Sequence, residues 1–486
     1  MKKRIFGSAP FYCLLLQLLT ACAVVGPNYQ QPAPHLNEQW NSPLLKGLQA
    51  EQADPRQLAT WWEVLEDEQL SSLIERAVAD NLDLQTATER VEQARLQREI
   101  QTTAELPSLD ATGSASWKRD GNDSSGESYG TGLDASWEAD LFGSVRRFIE
   151  VAEADFQASQ EELRDVLVSL VAEVALNYVD LRSSQVQLTN VRKSLVMQRE
   201  TRQLIQWQYE AGLDDELALH QAQYNLESSE AQIPTLETSL ASSMNRLAIL
   251  LGKAPGSLQA ELTKVQPVLQ IPATLVIGLP AEAIRRRPDI RKAEDELIAQ
   301  TARIGVATAE LYPKLRLSGV IGINGVSVAR FAENLFSPAF WAEQAGLTAS
   351  WHLFDAGAIR KNIQVQTSRQ KQALIEYEAA ILAAQEEIEN ALTAYVNEQA
   401  RRDSLLRAVK EAQQATALAE QKYKAGLIDF TTVPATQRTL LSFENQLAGS
   451  EGTMAANLIR LYKALGGGWP CCPEDFADAT TSKEKS

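Results

Sequence analysis

Residues 133–147 read LDASWEADLFGSVRR, and residues 347–361 read LTASWHLFDAGAIRK. Laid over each other at a shift of 214, six of the fifteen positions are identical, including Trp137 over Trp351, Gly143 over Gly357 and Arg146 over Arg360. The same shift, without a gap, places Tyr209, Ala211, Gly212 and Leu213 over Tyr423, Ala425, Gly426 and Leu427. It also puts Arg246, Leu247, Leu251 and Gly252 over Arg460, Leu461, Leu465 and Gly466. About 120 residues share this register, so the chain is a duplicated unit. An earlier pair, Pro107 and Pro313, needs a shift of 206, so the segment between that proline and the tryptophan is eight residues longer in the second copy.

Around each tryptophan the pattern has a period of two. Leu109, Ala111, Gly113, Ala115 and Trp117 alternate with Ser108, Asp110, Thr112, Ser114 and Ser116. Tyr129, Thr131, Leu133, Ala135, Trp137, Ala139 and Leu141 alternate with small and acidic residues, and the second copy repeats this with Leu315, Leu317, Gly319, Ile321 and Ile323, then Leu347, Ala349, Trp351 and Leu353. Such alternation predicts four strands, at about 107–117, 129–141, 313–324 and 345–354, each with one apolar and one largely polar face.

After each strand pair comes a proline-free helical run, 144 to about 210 and 357 to about 424, each on the order of 100 Å long at 1.5 Å per residue. In the first, Leu163, Leu167, Leu170, Val174, Asn177, Leu181, Ser184, Leu188, Val191 and Leu195 follow 4,3 spacing, a coiled-coil seam with two polar steps. Tyr377, Ile381, Ala384, Ile388, Ala391 and Tyr395 repeat the phase. A second helix returns from about 214 to 251 and from about 430 to 465. Gly212 and Gly426 stand at the reversals, where a left-handed residue ends a helix most easily. Pro234 inside the first returning helix should kink it. Each copy thus reads α-β-β-α-α, and the chain is mostly α.

The chain of 486 residues carries a formal charge of −17, and −20 once residues 1–21, with Lys2, Lys3 and Arg4 and no acid, are removed. Such a chain repels nucleic acid. Residues 1–21 have a basic start, an apolar run around Phe11 to Leu19, then Leu19-Thr20-Ala21 before Cys22, which is an export signal ending in a lipobox. Cleavage leaves Cys22 at the N-terminus, to carry S-diacylglycerol and an N-acyl chain. At about 0.8 kcal/mol per buried CH₂, three chains anchor it permanently. Ala23 after the cysteine implies sorting to the outer membrane. Cys13 leaves with the signal, and Cys471 and Cys472 are neighbours in an acid-rich tail, so there is no disulfide framework.

A four-stranded sheet whose apolar face has no helix to cover it must close with copies of itself. With apolar faces toward lipid and polar faces toward a lumen, each strand has about the 9–11 residues that a spanning strand needs. Two, three or four chains would give eight, twelve or sixteen strands. Trp117 near one end of its strand, and Trp137 and Trp351 near the other membrane surface, fit aromatic girdles. A soluble sandwich and a periplasmic coiled-coil scaffold are the rival readings. An enzyme is not expected. His35, His220 and His352 stand alone without metal spacing, and there is no HExxH, P-loop, GxSxG or paired CxxC. Glu161-Glu162 and Glu386-Glu387 read as solvated helix faces. No catalytic residue, resident metal or cofactor is expected beyond the lipid on Cys22.

Cys22 is followed by Val25-Gly26-Pro27-Asn28-Tyr29 with Pro32, then Trp61-Trp62, Asn81-Leu82-Asp83-Leu84, Asp140-Leu141-Phe142-Gly143, Arg286-Arg287-Pro288-Asp289-Ile290, Phe354-Asp355-Ala356-Gly357 and the two Tyr-x-Ala-Gly-Leu tips. In this order and spacing the chain resembles the outer-membrane factor family, of the TolC and OprM type, most closely its NodT-like lipoprotein branch in RND-type multidrug efflux. The resemblance covers nearly all of the mature chain. It implies a homotrimer with a twelve-stranded transmembrane β-barrel and a hollow periplasmic α-helical coiled-coil tunnel. It also implies a periplasmic adaptor (membrane fusion) protein and an inner-membrane RND-type pump as partners, with small molecules such as drugs as cargo. Metal ions or a secreted polypeptide are the alternative cargo.

By the same resemblance the tips meet the adaptor, which carries that role to Tyr209, Gly212, Leu213, Tyr423, Gly426 and Leu427. Some family members gate with aspartates on the second-copy tip, whereas this chain reads Asp429-Phe430-Thr431-Thr432-Val433-Pro434-Ala435 there. Its acids, Asp214, Asp215, Glu216 and Asp429, are the candidate constriction, with solvated helix-start acids as the other reading. The organisation expected is a signal peptide, 1–21; a lipidated segment packing on the periplasmic body, 22–80; a first outer-membrane factor repeat, 81–258; a linker, 259–280; a second repeat, 281–470; and a tail, 471–486.

Overall fold

The computed structural model describes residues 24–33, 39–41, 47–49, 55–119, 121, 125–269, 271–272, 275–276, 278, 280–337 and 341–469. The segment expected to be an export signal (1–21), Cys22, His35, Cys471 and Cys472 lie outside the described residues. The chain divides into two compact units, one built from 24–33, 89–160 and 292–379, the other from the described parts of 34–88, 161–291 and 380–469.

The first unit holds one antiparallel sheet of four strands, β1 (Ser108–Arg119), β2 (Ser125–Ala139), β3 (Lys314–Gly325) and β4 (Trp341–Ser350), in chain order. Leu109 pairs with Ala135, Leu133 with Ile321, Trp137 with Leu317, and Leu317 with Leu347, so the apolar residues of all four strands share one face. Ser108, Ser136, Ser318 and Gly346 line up across the other face, as do Thr112, Gly132, Gly322 and Ala342.

Glycines fix which way the sheet curls. On the polar face, a Cβ at Gly322 would lie 2.6 Å from the Thr131 carbonyl oxygen, and one at Gly132 would lie 3.0 Å from the Ile321 carbonyl oxygen. On the apolar face, a Cβ at Gly113 would meet nothing within 4 Å, and one at Gly319 only the Gln344 carbonyl oxygen at 4.0 Å. The polar face is therefore concave and the apolar face convex, with bare backbone touching backbone at the bend.

The strand ends depart from the alternation. β1 and β2 continue to Arg119 and Ser125, because backbone pairing persists beyond the last apolar side chain. β4 starts at Trp341 and ends at Ser350, leaving Trp351 and Leu353 past the strand. There Asp355 accepts from the backbone N–H groups of Gly357 (2.8 Å) and Ile359 (2.7 Å), and these bonds hold its carboxyl below the usual range.

Flanking helices are α1 (Glu68–Asp80), α2 (Leu82–Thr102), α3 (Ser144–Glu210), α4 (Glu216–Glu230), α5 (Gln232–Leu250), α6 (Pro288–Ala309), α7 (Val328–Leu335), α8 (Ala358–Lys424) and α9 (Thr432–Ala464). The long pair α3 and α8 have 67 residues each, with bounds displaced by the repeat shift. Among the described residues no helix is long and apolar enough to cross a membrane. The break between α4 and α5 falls at Ala231, three residues before Pro234. Proline offers no N–H to the carbonyl four residues back, that of Glu230, and its ring crowds it.

In the second unit the seam of α3 is buried at Leu167, Leu170, Val174, Leu181, Leu188, Val191 and Leu195. Its polar steps Asn177 and Ser184 instead line a polar cavity of about 770 Å3, with Asp180, Ser242, Thr453 and Arg460. Arg182, fully buried, donates to the Lys264 carbonyl (2.9 Å), to Gln266 (3.0 Å) and to Gln69, and stacks on Tyr178, whose hydroxyl donates to Asp67 at the start of α1. This cluster holds α1 and the linker against α3. The Arg-Arg-Pro-Asp motif acts similarly. Pro288 begins α6, where its missing N–H costs nothing, and buried Arg287 binds Asp289, Glu387 and the Ala464 carbonyl. Glu161, expected on a solvated face, is buried against Arg164 and beside Arg291, and burial pushes its carboxyl up despite both guanidinium groups.

The curl gives a direct test. Gly322→Ala should abolish the heat-modifiable gel migration of an assembled barrel, because its new methyl group meets backbone; Gly113→Ala and Gly319→Ala, on the open side, should keep it.

Candidate functional site

Two places carry candidate functional residues, one in each unit. In the helical unit, α3 and α8 end in the same backbone motif. Leu213 N–H donates to the Gln208 carbonyl (2.8 Å) and Gly212 N–H to the Tyr209 carbonyl (2.9 Å). Leu427 and Gly426 repeat the pair on Lys422 and Tyr423, at 2.9 Å each. Gly212 and Gly426, at φ of 69° and 68°, supply the left-handed residue this Schellman cap requires. In such a cap the residue after the glycine usually packs back on its helix. Here Leu213 is 79% and Leu427 72% exposed, so two leucines stand in solvent at matched positions.

Beneath them Ile205, Ala218, Ala222 and Phe430 form a small core, flanked by Leu219 and Tyr423. The Tyr423 hydroxyl donates to Asp214 (3.1 Å) and bonds Gln208, so the second-copy turn is fastened to the first. Burial first, then the Asp214 hydrogen bond and charge, push the phenol up to about 12. Its counterpart Tyr209 is exposed. Asp215 is the N-cap of α4, accepting from Ala218 N–H at 2.8 Å. Asp214 accepts the Asp215 N–H at 2.9 Å, Glu216 lies 3.6 Å from His220, and Asp429 is exposed. The first-copy turn thus holds three of the candidate constriction acids side by side, with Asp429 on the second-copy turn, and gives Asp214 and Asp215 structural duties as well.

The second place is the junction of strands and helices in the sheet unit. The Trp137 indole donates to the Glu105 carbonyl and that of Trp351 to the Leu311 carbonyl, each at 2.9 Å. Both acceptors lie two residues before the prolines that mark the repeat, and both rings stay exposed on the outside, as does Trp117 at the far end of β1. An aromatic body with a satisfied polar atom suits a membrane–water boundary.

Next to it lies a feature that sequence reasoning missed. Buried Arg147 donates to the carbonyls of Val25 (3.2 Å) and Gly26 (3.4 Å), to Asn28 (2.7 Å) and to Glu150 (2.7 Å). A Cβ at Gly26 would lie 2.4 Å from Gly305 Cα, and one at Gly305 2.7 Å from Arg147 Nε. Val24 presses on Gly143, and Tyr29 donates to Glu294 at 2.8 Å. The N-terminal segment is a strap in a fitted slot; its one sequence signal is glycine in Val25-Gly26-Pro27, and its partners are too distant in sequence to infer.

A sheet convex and apolar on one side, concave and polar on the other, with rim tryptophans and long helical hairpins, defines an outer-membrane channel subunit with a periplasmic extension. The chain belongs to the outer membrane efflux protein family, whose model matches residues 73–253 and 279–467. It is 31% identical to the toluene efflux pump outer membrane protein TtgI of Pseudomonas putida, over 96% of this chain and 98% of that protein. It is 30% identical to the cation efflux system protein CusC of Escherichia coli, over 94% and 99%. The solved outer-membrane channel OprN matches with a TM-score of 0.86 at 32% identity, covering 92% of this chain and all of that one. Proteins of this family are channels, not enzymes.

Tyr423→Phe should lower tip stability by about 1 kcal/mol, the usual worth of such a hydrogen bond, measured by denaturant unfolding of a probe at the turn. Because folding raises the phenol's pKa, its contribution is present below about pH 10, the ordinary tyrosine value, and is lost as pH rises toward about 12. The wild-type tip should loosen across that window and the phenylalanine variant should show no such step.

Proposed function

We propose that three copies close a twelve-stranded barrel and form the passive, gated exit duct of a tripartite efflux system, carrying small organic molecules out of the cell. The carrying observation is on the concave face, where Asp110 and Asp134 stand directly opposite each other in register, with Thr112 donating to Asp134 at 2.8 Å. Facing carboxylates are tolerable where water surrounds them and not where the wall is dry, which supports an aqueous lumen. Four strands are too few to close a barrel, and the outer edges of β1 and β4 have no partner strand among the described residues. Of the closures by copies, the family resemblance favours three.

Acylation of Cys22 fits the strap. Only Ala23 separates it from Val24, two steps of chain and a reach of about 7 Å, so the lipid would enter the membrane beside the junction that Arg147 holds. The exposed Leu213 and Leu427 support an apolar landing for a periplasmic adaptor, with an inner-membrane pump behind it. Organic cargo follows the toluene-efflux relative; cation cargo is the second reading, on the cation-efflux relative. Deleting the gene and comparing susceptibility to organic solvents with that to toxic metal-cation salts decides between them.

Purified protein should conduct in planar bilayers. If the acids line the constriction, Asp214→Asn with Asp215→Asn and Glu216→Gln should reduce cation selectivity, whereas unchanged selectivity removes them from the gate. Leu213→Glu with Leu427→Glu should abolish efflux in cells while conductance and heat-modifiable migration persist.

A further inference from the structure

The eight residues by which the second copy exceeds the first match the length of α7, Val328–Leu335, in the loop between β3 and β4. Ser327 begins the helix, its hydroxyl accepting the Arg330 N–H at 3.3 Å. Phe331, Asn334 and Leu335 follow i, i+3, i+4 spacing and are half-buried, while the rest of the helix is exposed. The buried side rests on the convex face of the sheet. A Cβ at Gly325 would lie 2.8 Å from Phe331 Cα, the Phe331 ring is 6.2 Å from that of Tyr129, and Ile323 is only 1% exposed, although apolar residues further along this face stay open. The helix therefore lies outside the barrel wall and not over the lumen.

Its depth follows from the register. Leu317 pairs with Trp137 at the inner rim, and Gly325 pairs with Tyr129. Those eight residues span about 27 Å of strand at 3.4 Å each. With the usual barrel tilt that is roughly 20 Å of height, near the top of an apolar band about 25 Å tall. Trp341, cross-strand from Ile323, is exposed at the same level. The outward side of the segment is apolar too: Val326 is 65%, Val328 60% and Phe336 87% exposed. Arg330 and Glu333, both exposed, give the helix one charge of each sign. Charges exclude the hydrocarbon centre, and three exposed large apolar side chains disfavour water. The remaining place is the boundary between headgroups and acyl chains.

We propose that α7 is an interfacial foot that seats the barrel in the outer leaflet, with the lipid surface itself as the partner of Val326, Val328 and Phe336. This rests on the convex face meeting lipid, which the helix continues without a break. It gives the second copy a membrane contact that the first copy lacks.

The test is a polarity-sensitive fluorophore at Val328→Cys or Phe336→Cys, in a chain with Cys471→Ser and Cys472→Ser, reconstituted into phosphatidylethanolamine–phosphatidylglycerol vesicles. Gly121→Cys, in the exposed turn between β1 and β2, is the aqueous control. The expected result is blue-shifted emission at 328 and 336, strongly quenched by lipids spin-labelled near the headgroup and little by iodide, with the reverse at 121. Iodide quenching equal to that at 121 would overturn the proposal, because the helix then stands in water. Protection from both quenchers would overturn it as well, since a neighbouring subunit then covers the helix. Conductance and heat-modifiable migration of each labelled protein are read in parallel. A conducting, migrating channel with a water-exposed probe loses the foot alone, whereas loss of conductance at all three positions, including 121, counts against the channel.

Discussion

A backbone N–H or carbonyl left unpaired in hydrocarbon costs several kcal/mol, and nothing in a bilayer core can satisfy it. That constraint organises the sheet unit. It demands strands that close on strands, and it forbids the outer edges of β1 and β4 from remaining bare. It also makes the glycines opposite each other at 132 and 322 essential, since a flat sheet of this width cannot begin the turn that closure needs. The side chains then have only to choose sides. Every odd position from Leu109 to Ala115 is apolar or glycine and every even one polar, and the curl assigns the first set to lipid and the second to water.

Features set by local periodicity were legible in the sequence. The repeat shift located both long helices, the alternation located the four strands, and Pro234 marked the break between α4 and α5. The strand ends were not legible, because alternation reports where lipid stops, while hydrogen bonding in β1 and β2 runs on past it to Arg119 and Ser125. The internal partners were not legible either. Arg182 gathers Gln69, Tyr178, Lys264 and Gln266, and Arg147 gathers residues from the far N-terminus; nothing in the spacing of these residues announces that they meet. At the tips the Ala-Gly-Leu turns were readable as helix stops. That Tyr423 would reach Asp214 while Tyr209 faces solvent was not, since the two tyrosines are identical in the repeat register.

Duplication followed by such divergence explains why one chain has two tips and two hairpins of strands that match in backbone but not in side-chain partners. The backbone caps have stayed superimposable, because glycine geometry permits few alternatives. The side chains around them have specialised. One turn supplies Asp214, Asp215 and Glu216 and the cap of α4, and the other supplies the tyrosine and the buried Phe430 that hold the first in place.

The strap at Val24–Tyr29 sets an order of maturation. Tyr29 and its acceptor Glu294 are 265 residues apart, and Gly26 rests on Gly305. The strap, near the start of the chain, is therefore among the last parts that can settle, since its slot does not exist until the second repeat is in place. Whatever holds the N-terminus in the meantime must be something other than the protein's own fold.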